Sequence, residues 1–198
     1  MRLIANDYAM TLNMMAKNGA TIMQSGNQIL AQIKNAPTAA PDFVVFEGYT
    51  NDAYGSAASD PEFNPNGTER YVTSCYGTVS PEGTTEFDTN TFCGSFENTI
   101  QTMKQKWPES NFVYITIHKS GARNFEIQKK LHDLTIEMCE KWDIAVVDMF
   151  ENSTLDTRNA SEMSKDMIGG KGSHPNETAC REFYIPAIVP VMEGLCNN

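Results

Sequence analysis

The sequence holds no run of basic residues longer than the pair Lys129-Lys130. Its fifteen Lys and Arg are outnumbered by twenty-five Asp and Glu, for a formal charge of −10. An acidic chain without a basic stripe repels phosphate backbones and anionic headgroups, so neither nucleic acid nor a membrane surface is an expected partner. No apolar stretch approaches the ~20 residues that span a bilayer. The first twenty residues lack the order of a signal peptide, and the expectation is a cytoplasmic protein, or a secreted one if a leader preceded Met1. There is no C-x-x-C pair. The five cysteines (75, 93, 139, 180, 196) are scattered and odd in number, which fits reduced thiols rather than a disulfide framework or a zinc site. His118, His132 and His174 show no metal-ligand spacing, so no metal is expected. Gly169-Gly170-Lys171-Gly172-Ser173 fails as a phosphate loop, because Gly follows the Lys and no strand leads into it. No internal repeat and no linker composition appear, so residues 1–198 read as one domain.

What is present is an alternation of strands and helices. Met1 to Ala9 reads as the last turns of a helix, Thr11–Met15 as a strand, and Ile22 to Lys34 as a helix carrying Ile22, Ile29, Leu30 and Ile33. Phe43-Val44-Val45-Phe46, bounded by Pro41 and Gly48, fits a strand buried on both faces. Residues 53–90 are rich in Gly, Pro, Ser, Thr and Asn without a helical period, a loop insertion long enough to cover a substrate. Phe92, Phe96, Ile100, Met103 and Trp107 form one helical stripe that Pro108 ends. Asn111–His118 is β-branched and aromatic, a strand. Ile127, Leu131, Leu134, Met138 and Trp142 form a second stripe, and Ile144–Phe150 is the last strand. A short helix is expected around Ala160–Met167, and Ala179–Leu195 is helical in tendency but interrupted by Pro186 and Pro190. The pattern predicts an α/β fold, a parallel sheet with helices on both faces. Right-handed crossovers then gather the strand-to-helix loops on one edge.

That edge collects Asn18-Gly19, Asn51-Asp52, His118 and the Asp148–Phe150 end. Gly19 lacks a side chain, so its backbone N–H can approach a ligand closely. Asn51 supplies an amide donor and His174 an imidazole. Two donors and a base are what acyl transfer needs: an oxyanion hole and a group to take a proton.

Asn18-Gly19-Ala20-Thr21, Gly48-Tyr49-Thr50-Asn51-Asp52 and Gly172-Ser173-His174-Pro175-Asn176 resemble the second, third and fifth sequence blocks of the SGNH hydrolases, the GDSL-type esterases and lipases. The resemblance covers essentially the whole chain. It implies a flavodoxin-like three-layer α/β/α sandwich and an ester hydrolase acting on acyl or acetyl esters, including those of carbohydrates, with no cofactor. It further implies that Gly19 and Asn51 form the oxyanion hole and that His174 is the general base.

Three departures accompany it. The family's nucleophilic Ser stands in a Gly-Asp-Ser turn after the first strand, and no Gly-Asp-Ser occurs here. Ser25 and Ser56 lie near the edge in another context. The resemblance therefore implies a domain truncated at its N-terminus, without the first strand. The family's acid usually stands three residues before the His, where this chain has Lys171; Asp166, Asp148 or a backbone carbonyl are the alternatives for orienting the ring. Tyr49 stands where the third block usually has Gly. Tyr49, Asp52, His118 and Lys171 are expected to face substrate. The alternatives to an esterase are a non-catalytic module that binds acylated glycans on the same fold, or an inactive truncated product.

Overall fold

The computed structural model describes residues 1–23, 28–53 and 76–197. Three strands, β1 (Phe43–Glu47), β2 (Asn111–Ile115) and β3 (Ala145–Val147), form one open sheet in the order β1-β2-β3. Both pairings are parallel, with Val45 opposite Val113 and Val113 opposite Ala145. All three strands therefore end at the same edge.

Side chains alternate across this sheet as the two-residue period requires. Val44, Phe46, Phe112, Tyr114 and Val146 point into one core. Phe43, Val45, Val113, Ile115, Ala145 and Val147 point into the other. The first core is closed by α2 (Ile29–Asn35), α3 (Phe92–Lys106) and α4 (Phe125–Lys141). The second is closed by α1 (Arg2–Asp7) and the C-terminal α7 (Ile185–Cys196), which brings Ile188 and Met192. The fold is thus three layers, helices on both faces of a parallel sheet.

The two helical stripes form as the spacing predicts. Phe92, Phe96, Ile100 and Met103 are fully buried, and Thr91 caps α3 by accepting from Gly94 N at 3.1 Å. In α4, Asn124 accepts from Ile127 N at 3.1 Å. Such caps satisfy N–H groups that have no partner inside the first turn. Lys106 ties α3 to the end of α2, its Nζ donating to the carbonyls of Ile33 and Ala36 at 2.8 and 2.6 Å.

Several expectations need correction. Thr11–Met15 has no regular structure and pairs with no strand among the described residues, and Leu12 and Met14 are 36% and 49% exposed. A strand exists through its ladder, and this segment has none. The second helix begins at Ile29, not Ile22; the Ile22 and Met23 amides ahead of it donate to the Asp52 carboxylate. β1 stands at the end of the strand order and its apolar residues are only half-buried, not buried on both faces. β2 stops at Ile115 and β3 spans only Ala145–Val147. Pro186 and Pro190 do not interrupt the C-terminal helix. α6 (Glu177–Ala179) runs through a wide turn, Cys180–Tyr184, into α7. In that turn the Ile185 N–H reaches back five residues to Cys180 O. The π-type turn falls just ahead of Pro186, which has no N–H to donate.

Of the predicted 53–90 insertion, residues 54–75 lie outside the described residues. The part from 76 to 91 has no regular structure but is pinned to the core. Buried Glu97 accepts from Ser80 N at 2.9 Å and Ser80 Oγ at 2.5 Å. It also accepts from Trp142 Nε1 at 3.1 Å and from Lys141 Nζ. The four described cysteines (93, 139, 180, 196) are free thiols. No described helix is long and apolar enough to cross a membrane.

Candidate active site

A cavity of about 450 Å³ opens at the carboxyl edge of the sheet. Its wall includes Gly19, Asn51 and His174, brought together from three loops that are far apart in sequence. Glu47, Thr50 and Ile115–Ile117 supply the strand ends, and Tyr184, Ile185 and Ile188 supply the last helix. Lys17, Ser173 and Cys180 also line it.

The turn after β1 sets the position of Asn51. Tyr49 holds a left-handed backbone, φ +75°, where a side chain is strained and Gly is the easy residue. It is tolerated because its ring is fully buried in the core under α3. Its hydroxyl is buried without a well-formed hydrogen bond among the described residues, only a marginal approach to the Ile117 backbone. Burial pushes the phenol well above its ordinary pKa. Tyr114 Oη donates to Gly48 O at 3.0 Å and secures the same turn.

Asn51 Nδ2 donates to Ala20 O at 2.8 Å, which joins the two loops that carry the candidate donors. Gly19 itself has φ +72°, a backbone that Gly adopts without strain. Asp52 does not line the cavity. It is buried and accepts from Ile22 N at 3.0 Å and Met23 N at 3.1 Å. Burial raises its carboxyl to about 6 against the opposing pull of those amides.

His174 sits on a strap that crosses the end of α5 (Ala160–Asp166). The strap is held by its backbone: Ile168 N donates to His174 O at 2.9 Å and Asn176 N to Asp166 O at 2.8 Å. Gly172, with φ +81°, lets the chain turn into it. Asn176 Oδ1 then caps α6, accepting from Ala179 N at 2.9 Å. The imidazole of His174 is exposed and, among the described residues, bonds to no carboxylate.

The two carboxylate alternatives, and the Lys171 that stands at the family's acid position, are placed as follows. Asp148 is bound to His132, whose Nε2 lies 3.2 Å from both carboxylate oxygens, and it also accepts from Thr116 Oγ1 and Phe150 N. Asp166 is buried beside the strap, its Oδ1 without a hydrogen bond and 3.7 Å from Lys165 Nζ. Lys171 is exposed and off the cavity wall.

His118 is fully buried and reaches the cavity only through Tyr184. Its Nε2 lies 3.1 Å from Thr157 Oγ1 and its Nδ1 2.7 Å from Tyr184 Oη. Burial lowers its pKa to about 4, so the ring is neutral near pH 7. Ser25 and Ser56 lie outside the described residues. Among the described residues no serine hydroxyl bonds to His174.

Two residues of the site were not singled out in the sequence. Tyr184 carries no sequence signal, because only the wide turn before α7 aims it at the cavity. Arg123 lies in the Ser120–Asn124 loop that follows β2. It donates from Nη2 to Asn51 Oδ1 at 3.2 Å and from Nε to Thr50 O at 2.5 Å.

No protein-family model matches the sequence, and no curated protein is similar to it in sequence. Solved structures are similar in fold. A protein from Lactobacillus plantarum superposes with a TM-score of 0.72 at 15% identity, over 98% of this chain and 85% of that one. A protein from Bacteroides ovatus, provisionally described as a GDSL-like lipase, superposes with a TM-score of 0.52 at 16% identity, over 90% of this chain and 68% of that one. The chain has a GDSL/SGNH-like fold.

Proposed function

We propose that the cavity is the acyl-binding site of an SGNH-type ester hydrolase acting on acyl or acetyl esters, carbohydrate esters included. The observation that carries the reading is the meeting of Gly19, Asn51 and His174 on one cavity wall. A carbonyl oxygen seated against the Gly19 N–H and the free Asn51 amide hydrogen would be stabilised as negative charge develops on it. His174 would take the proton of the attacking hydroxyl and return it to the leaving alcohol. In the complete mechanism that hydroxyl belongs to a Ser in a Gly-Asp-Ser turn. The chain does not contain that turn, so the reaction expected of it alone is the slower attack of a water activated by His174 on an activated ester.

The test is hydrolysis of an aryl acetate by the purified chain. The reading predicts turnover above the buffer rate, lost in both His174→Ala and Asn51→Ala. Turnover that persists unchanged in both variants would overturn it.

A second reading, a module that binds acylated glycans without cleaving them, is favoured by one observation. Among the described residues the His174 imidazole has no carboxylate to orient it, while Asp148 is committed to His132. Binding of an acetylated oligosaccharide, with no acetate released over many hours, would decide for this reading.

A further inference from the structure

We infer that Arg123 is a positioning residue for Asn51: its guanidinium fixes which way the Asn51 amide faces and strengthens the hydrogen that the amide turns to the cavity. The inference rests on the proposed reading of Asn51 as an oxyanion donor. The orientation, however, follows from the contacts alone.

An Asn amide has a carbonyl oxygen that only accepts and an NH2 that only donates, and either end can face a given partner. Here both partners are one-sided. Ala20 offers a carbonyl oxygen, which can only accept, 2.8 Å from Nδ2. Arg123 offers Nη2, which can only donate, 3.2 Å from Oδ1. A flipped amide would set carbonyl against carbonyl and NH2 against guanidinium, and lose both bonds. One hydrogen of Nδ2 is used on Ala20, and the other is left for the cavity that Asn51 lines. A cation on the carbonyl end draws electron density from the amide and makes the remaining N–H a better donor to an anionic oxygen.

The guanidinium is itself held in place. Its Nε donates to Thr50 O at 2.5 Å and its Nη1 to Ala122 O at 2.9 Å. The turn after β1 and the loop after β2 are thus clamped by one planar group with donors in fixed directions. Lys offers the charge without that fork.

The experiment uses the full chain, labelled with nitrogen-15, with acetate as the oxyanion probe. The side-chain NH2 pair of Asn51 is assigned by its disappearance in Asn51→Ala. In the native chain acetate is expected to shift one proton of the pair strongly and the Ala20-bound proton weakly. In Arg123→Met the two protons should become more nearly equivalent, and acetate should bind about tenfold more weakly. Arg123→Lys keeps the charge, and should recover part of the affinity without restoring the inequivalence of the pair. If Arg123→Met melts without cooperativity, Arg123→Lys alone carries the comparison.

Two results would overturn the inference. One is an Asn51 pair unchanged in both Arg123 variants. The other is an acetate affinity that does not depend on Arg123. Aryl-acetate hydrolysis is read in parallel. An Asn51 pair that responds to Arg123 in a chain without hydrolysis would support the positioning role while the hydrolase reading fails.

Discussion

His132 Nε2 stands 3.2 Å from both oxygens of Asp148, and His132 Nδ1 stands 3.0 Å from Asp133 Oδ1. The imidazole lies between two carboxylates at the end of β3, stacked on Phe150 with ring centroids 4.8 Å apart. Burial works against its charged form, but the bonds to Asp148 and Asp133 outweigh it and hold its pKa above the ordinary 6.5. Burial likewise pushes Asp148 up, and the bonds from His132, from the Glu151 N–H and from Thr116 bring it down to about 2.

This pair makes stability depend on pH in a defined direction. His132, with a raised folded pKa, contributes stability that is fully present below pH 6.5 and is lost as pH rises through the folded value. Asp148, with a depressed one, contributes stability present above 3.8 and lost as pH falls through about 2. The contribution is therefore largest near pH 4 to 6. Urea denaturation of His132→Gln should show a loss of about 2 kcal/mol at pH 5, shrinking by pH 9. An equal loss at both pH values would show that the ring contributes by packing alone.

Glu97 is fully buried, yet four donors from two segments, Ser80 and the Lys141-Trp142 pair, converge on it. Glu97→Gln leaves the Lys141 ammonium, itself mostly buried, without its counter-charge. Removing one partner of such a pair costs about 3 kcal/mol. The expected signature in hydrogen exchange is early loss of protection at Ser80 and in α3, because Glu97 is one of the groups that attach residues 76–91 to the core.

Tyr49→Phe is expected to stabilise the chain. The hydroxyl is buried with no well-formed hydrogen bond among the described residues, only a marginal approach to the Ile117 backbone, so deleting it removes a desolvation penalty and keeps the ring. The gain should be about 1 kcal/mol by urea denaturation. A loss of stability would point to a buried water on the hydroxyl.

On the proposed reading, Asn51→Ala and Asn51→Asp should both lower kcat for an aryl acetate, by about 100-fold, with KM little changed, because an oxyanion donor acts on charge that exists only in the transition state. A change confined to KM would mean that Asn51 holds the ground-state ester instead.

Much of this molecule could be read along the chain. The stripes Phe92–Trp107 and Ile127–Trp142 became α3 and α4, because burying one apolar face per turn leaves a helix few other solutions. The alternating apolar runs at Phe43 and Phe112 became neighbouring parallel strands. Asn51 and His174 could be chosen from their places after a strand and before the last helix, whereas Gly19 was chosen as following a strand that is not there among the described residues. Tertiary structure decided the rest. Thr11–Met15 has the residues of a strand and remains unpaired among the described residues, since a ladder needs a second chain segment that local sequence cannot specify. Asp148 was an alternative for orienting His174 until α4 packed His132 against the end of β3 and bound it there. Arg123 was one loop cation among fifteen basic residues until the turn after β1 brought two oxygens within its reach. Periodicity records which face a segment buries. Which polar group meets which depends on distances between segments that only the packed fold sets.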